Sequence, residues 1–427
     1  MVQHFIPIDK VTPPSRDHVE VLDKIDDFAW YVPKRSKNHR LPSFLSRGKS
    51  TAVETQTIYF VDPNSEYSGF VQLLYSNVLG GFYKGFQINF KIFSPNKDLE
   101  DKFNVWESIK LDGNMKFQDS DLTVKGDNVT FQFRDPIKVS KKIIDGTSKD
   151  GDEEKSKKKF ETVTNLKIKV KVPSIGLSID LRCNLGKGFK ILPDGCSIYL
   201  DKSISKDEFK RIKSSKPEDI SQLILKNKYL RHQFAPLGQI FGIIKYNNKK
   251  NGEQQVLKLT HSPMVYLDAV QGMLPNKIAK RWNFLYFQSK SYTILAIEYL
   301  TVQQFDNVKV TIWTICENNE IKYIGSDINN DEMIKFNSVE KDSHNNWEYP
   351  TEMTFNFLNG DEKVPSFTVK NMNLVNRYDI LGELPSIINT LAKKIANIKP
   401  YLYQFCQPSK YKDEEGVSII ESTFISQ

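Results

Sequence analysis

Side chains able to do chemistry are few in this sequence and do not gather. The six histidines and the four cysteines, Cys183, Cys196, Cys316 and Cys406, form no Cys-X-X-Cys pair and no set with zinc spacing. A Gly-X-Ser-X-Gly elbow, a phosphate loop, a dinucleotide glycine turn and a zinc-hydrolase His-Glu-X-X-His are also missing. His232 and His261 are expected to be hydrogen-bonded structural residues, and Asp268 a turn or capping carboxylate. No catalytic residue, no metal ligand and no cofactor is expected.

What remains is recognition. From Arg281 to Gln288 the chain alternates as a strand does, with Trp282, Phe284 and Tyr286 on one face and Asn283, Leu285 and Phe287 on the other. A strand that is aromatic on both faces is either covered twice or lines a cavity, because a bare face would leave a large sticky patch. The polar groups nearest to it are Gln271, Arg281, Asn283 and Gln288. Their amides suit hydrogen bonding to a neutral polar group, although Arg281 could equally pair with a carboxylate inside the fold. Gln271, Met273, Arg281, Trp282, Asn283, Phe284, Phe287 and Gln288 are therefore the candidate ligand-binding residues. Core packing is the competing and commoner role for Trp282, Phe284 and Phe287.

The elements that must position them are read from composition and period. At 427 residues and 39% hydrophobic, the chain is long enough for two cores. The 27 Phe and 18 Tyr favour strands. A net charge of +8 reads as a lysine-rich solvated surface rather than a nucleic-acid face, since the aromatic residues share their faces with Ile, Val and Leu. No apolar run fits a signal peptide or a membrane span, so a reducing cytoplasm is the expected location.

Residues 1–50 read as a flexible lead-in with one short helix, capped by Ser15 and carrying Val19, Leu22 and Ile25 on one face. Strands follow, typified by Phe86, Ile88, Phe90 and Ile92 alternating with Gln87, Asn89 and Lys91. The charged stretch 141–161 reads as a surface loop, and the lysines from Lys155 to Lys159 leave a nuclear signal open. Leu166, Ile168 and Val170 alternate with Lys167, Lys169 and Lys171. Ser205 with Glu208 opens a helix, and Ser215 with Pro217 a second. One domain is expected over 51–229 and another over 230–427. An amphipathic helix carrying Leu384, Ile387, Ile388, Leu391 and Ile395 closes the pattern.

Gln271, Gly272, Met273, Pro275, Arg281, Trp282, Asn283, Phe284, Phe287 and Gln288 resemble a signature segment of the fungal survival-factor family. Leu267-Asp268-Ala269 stand where that family has a His-Ala-Leu-like run. Arg231-His232-Gln233-Phe234-Ala235-Pro236 resemble its crossing into a second domain, with Ala235 in the place of a tryptophan. The resemblance runs from about Glu54 to Ser426. It implies an all-β fold with a few helices, built as two tandem lipocalin-like antiparallel barrels or half-barrels. It also implies a lipid partner: a carrier of ceramide-like sphingolipids between endoplasmic reticulum and Golgi, linked to survival of oxidative stress. Related folds leave open an enzyme acting on an apolar substrate, hydratase-like, and an interaction protein without ligand is a third reading. Pro7, Pro13 and Pro14 interrupt the first residues, so membrane contact is expected to be weak, peripheral and electrostatic.

Overall fold

The computed structural model describes residues 3–23, 28, 31, 53–62, 64–78, 83–111, 114–118, 121–125, 129–140, 160–215, 217–248, 251–359, 362–380, 382 and 400–426. Residues 141–159 of the expected loop and the whole of the expected closing helix from Leu384 to Ile395 lie outside them, while residues 160 and 161 begin a strand.

Period-2 sequence becomes antiparallel sheet throughout. In strand Phe160–Val172, the buried Leu166, Ile168 and Val170 alternate with Lys167, Lys169 and Lys171, and Lys169 reaches Asp180 on the neighbouring strand at 3.1 Å. Strand Tyr83–Phe93 turns Phe86, Ile88, Phe90 and Ile92 inward. Its polar face is tied across neighbours by Gln87 to Asn89, Asn89 to Gln72 and Gln72 to Thr57, each at 2.8 Å. The first helix, Lys206–Lys213, opens as its cap predicts on Ser205, whose hydroxyl accepts from the Glu208 amide at 3.2 Å; the second, Pro217–Lys226, has proline in its first turn, and the Ser215 hydroxyl donates back to the Arg211 carbonyl at 2.8 Å.

Among the described residues the strands form sheets of fifteen, seven and three strands. The first sheet curls until distant strands meet: Phe90 and Tyr246, on strands separated by three others, have rings 6.1 Å apart. Its axis is the long hairpin of Lys228–Asn247 and Gln254–Gln271. The expected boundary near Tyr229 thus falls inside this sheet, and the change of sheet comes between Gln271 and Ala279. Pairing with strands upstream of residue 229 holds the hairpin there, Met264–Gln271 against Val53–Phe60 and Gly238–Lys245 against Ser178–Leu185.

The lead-in is not separate from the fold. Gln3–Ile6 pairs with Cys196–Ile204, and Val19–Leu22 pairs with Gly188–Ile191. The helix expected from Val19, Leu22 and Ile25 is a strand over its described part. Val19-Glu20-Val21-Leu22 satisfies a two-residue period as well as a helical one, and pairing with the strand Gly188–Ile191 decides between them. Val11 then bridges to Ser326 of the second sheet.

In the seven-stranded sheet, Ala279–Ser289 lies between Tyr292–Thr301 and Glu414–Phe424. Both of its faces are covered. Phe284 and Tyr286 join the apolar layer between the first and second sheets, while Leu285 and Phe287 pack beneath the three-stranded sheet against Phe367.

Candidate functional site

The two large sheets meet face to face. Tyr59 from the first stacks on Phe284 from the second, with ring centres 4.7 Å apart, and Phe70, Val61, Leu295 and Ile297 fill the layer around them. At one rim this seam opens into a cleft of about 1160 Å³. Val61, Phe189, Leu237 and Pro263 line it from the first sheet side, Ile321 and Ile324 from the second, and Val19 and Val21 from the amino-terminal strand. Asn184, Gln239, Gln288 and Ser289 supply polar groups within these apolar walls. Arg16 closes over the cleft, its guanidinium donating to the Ile321 carbonyl at 2.9 Å. Asp62, Lys187, Lys290, Glu320 and Glu415 also belong to the lining, so apolar walls stand beside neutral hydrogen-bonding groups and charges of both signs, a combination that suits an amphiphile with a polar head group.

Of the residues nominated from sequence, Gln288 lines this cleft. Its amide oxygen accepts from the Thr293 hydroxyl at 2.9 Å and the Tyr286 hydroxyl at 3.3 Å, and its nitrogen donates to the Ser289 carbonyl. Asn283 does not reach it. That amide is fully buried, donating to Glu298 at 2.9 Å and accepting from Ser422 at 3.0 Å. Arg281 pairs with the same Glu298 at 3.5 Å and covers the Phe336 ring, the internal carboxylate partner that its sequence position left open. Phe287 is core to the second unit and Phe284 to the seam, while Trp282 and Met273 are half-buried against the seam layer. Gln271 pairs with Leu230 and Val53 at the end of the long hairpin.

Sequence reading missed the carboxyl group of Glu421, which stands opposite Phe284 in the pairing of strands. Gln404 donates to it at 2.7 Å, Asn376 donates to Gln404 at 2.9 Å, and the Tyr59 hydroxyl bonds it from across the seam. Burial pushes Glu421 up to about 7, against the lowering effect of these donors. No local motif marks it, because its neighbours come from residues 59, 376 and 404. His232 is held neutral, its value brought down to about 3 by burial and by Arg231, which suits a structural imidazole. All four cysteines are buried and free, and burial raises Cys183, Cys316 and Cys406. Among the described residues no group of three or more His, Cys, Asp or Glu could hold a metal ion.

A curled half-barrel packed face to face on a second antiparallel unit, with a cleft at their seam, defines a tandem lipocalin-like β protein. The chain belongs to the Svf1 family, whose model matches residues 6–426. An SVF1-like protein of Saccharomyces cerevisiae is 43% identical over 99% of this chain and 98% of its own length. The ceramide-binding protein SVF1 of Debaryomyces hansenii is 28% identical over 98% of this chain and 92% of its own. Among solved structures, CghA superposes with a TM-score of 0.46 at 9% identity, over 96% of this chain and 99% of that one.

Proposed function

We propose that this protein binds a ceramide-class lipid in the seam cleft and carries it between membranes, in the sense of transfer from endoplasmic reticulum to Golgi. The carrying observation is the cleft itself, which joins apolar walls from both units to the neutral amides of Asn184, Gln239 and Gln288 and to charged groups of both signs such as Arg16, Asp62, Lys187 and Glu320. Relatives that cover 98% and 88% of this chain, named as ceramide-binding proteins, support the same chemistry. Burying an acyl chain of about 14 methylenes at roughly 0.8 kcal/mol each offers about 11 kcal/mol gross. Association costs of about 4–15 kcal/mol offset most of that, so useful affinity depends on a largely formed cleft and on hydrogen bonds to the head group. Protection during oxidative stress would follow from keeping free ceramide low. The test is transfer of a fluorescent ceramide between donor and acceptor liposomes: wild type should accelerate it, and Val21→Arg with Leu237→Arg should abolish the acceleration. Equal transfer by both proteins sinks the cleft assignment.

A second reading, an enzyme acting on an apolar substrate, rests on Glu421. Burial pushes its carboxyl up to about 7 beside Tyr59, so it would exchange protons near neutral pH with a substrate admitted to the seam layer, although neither residue lines the cleft. Chemical change of a lipid incubated with wild type, and its loss in Glu421→Gln, would favour it over carriage.

A further inference from the structure

On its outward side the first sheet concentrates charge of one sign. Segments 167–171, 178–182, 241–245 and 256–258 lie side by side, with Lys167 opposite Arg182, Ser178 between Lys171 and Lys245, and Ile243 opposite Lys258. Alternation sends Leu166, Ile168, Ile179, Leu181, Ile244 and Leu257 into the core. The same alternation turns Lys167, Lys169, Lys171, Arg182, Lys245 and Lys258 outward. The carboxylate among them is Asp180, and it is paired with Lys169 at 3.1 Å. Six cations against one carboxylate, in a chain of 60 basic and 52 acidic residues, is segregation and not an even scatter.

Two aliphatic side chains stand uncovered between these lysines. Ile243 is 40% exposed and Val256 47%. The register sets Ile243 opposite Lys258 and Val256 opposite Lys245, so the two aliphatics are diagonal neighbours in a checkerboard with the two lysines. A lysine ammonium is a compact charge on a flexible stem and suits a layer of mobile lipid phosphates. An aliphatic side chain beside it gains by entering the boundary between head groups and acyl chains. A nucleic acid rewards stacking rings and forked guanidiniums instead. Here the ring of Phe241 is half-buried, 5.6 Å from that of His261, and the cations other than Arg182 are lysines.

This face runs directly into the cleft. Asn184 follows Arg182 by two residues and Gln239 precedes Phe241 by two, a step of about 7 Å along a strand. Both line the cleft, together with His261 and the exposed Lys187. We infer that this face docks the protein on an anionic lipid bilayer, its six cations over the lipid phosphates and Ile243 and Val256 at head-group level, so that the cleft mouth comes to rest beside the membrane. Docking stands independently of the cleft, and its service to loading rests on the lipid-carrier reading.

The experiment floats the full chain with phosphatidylcholine vesicles that contain one third phosphatidylserine. Wild type should bind these and not pure phosphatidylcholine. At about fivefold per cation, Lys171→Gln, Lys245→Gln and Lys258→Gln together should weaken binding about a hundredfold. Lys210→Gln, Lys341→Gln and Lys370→Gln, exposed elsewhere and equal in net charge, should bind nearly as wild type. Ile243→Ser with Val256→Ser changes no charge, and should weaken vesicle binding several-fold while leaving binding to a single-stranded RNA unchanged. Ceramide supplied on cyclodextrin should load the Lys171, Lys245, Lys258 variant as it loads wild type. Wild-type binding that ignores phosphatidylserine, equal weakening by the two lysine triplets, undiminished vesicle binding by the serine variant, or tighter wild-type binding to the RNA than to the vesicles at equal salt each overturns the docking face and leaves the cleft reading standing. Docking as expected with no ceramide loaded by either protein upholds the face and sinks the cleft reading.

Discussion

Replacing Asn283 by leucine removes a buried amide that donates to Glu298 and accepts from Ser422. Glu298 already has one oxygen without a partner, and burial raises its pKa despite Arg281 and Lys309 nearby. Losing its Asn283 donor should cost about 2–4 kcal/mol, read as a lower denaturation midpoint. Gln288→Leu should cost about 1 kcal/mol, since that amide is half-buried and faces the cleft, yet should reduce lipid transfer. Glu421 gives a pH signature. Its folded value of about 7 lies above the ordinary carboxylate value, so the folded chain keeps a proton that the unfolded chain has released. Stability from this group is full below about pH 4 and falls as pH rises through 7. Glu421→Gln should therefore gain on wild type in melting temperature between pH 5 and pH 8; parallel curves would show that Glu421 titrates normally.

Strand Lys228–Asn247 serves two sets of neighbours, Cys196–Tyr199 at its start and Ser178–Leu185 further on. It can do so because irregularities at Ala235 to Gly238 and at Ile240 to Gly242 bend it. Gly242 has φ +136°, and a Cβ there would meet the Asp180 carbonyl at 2.1 Å. Gly242→Ala should cost well over 1 kcal/mol, measured by urea unfolding; a wild-type midpoint would mean the bulge relaxes freely. At this scale the sequence was most legible where period spoke alone. The alternation from Trp282 to Phe287 announced a strand that is either covered twice or lines a cavity, and Ser205 announced a helix start. It was least legible where one local pattern fits two structures or serves two domains. Val19 to Leu22 fits helix and strand alike, and the long hairpin begins at Lys228 with residues that read as a new domain but pairs backwards to complete the first. Asn283 looked like a reader of ligand because alternation gives its face but not what covers that face. The cleft residues Val61, Gly188, Leu237 and Ile321 meet only through long-range pairing, which no local window contains.

Across the whole molecule, the amino-terminal residues strap the two units together. Phe5, Ile6, Ile8 and Val11 are buried, and Lys10 reaches Asp327 of the second sheet at 2.8 Å. Apolar side chains held inside the fold are not offered to a bilayer, so membrane contact is expected to depend on the net charge of +8. Flotation with anionic liposomes should be lost at high salt, and salt-resistant flotation that requires residues 1–14 would contradict this.

The most direct test of lipid binding at the seam is native mass spectrometry of the full chain after incubation with ceramide, run beside the Val21→Arg, Leu237→Arg variant. Val21 is half exposed and Leu237 partly so, which lets both arginines sit at the rim without disturbing the buried layer. Wild type should carry one ceramide per chain, and the variant, at an unchanged melting temperature, should carry none. A folded variant that loads ceramide as wild type does would place the lipid elsewhere and contradict the assignment.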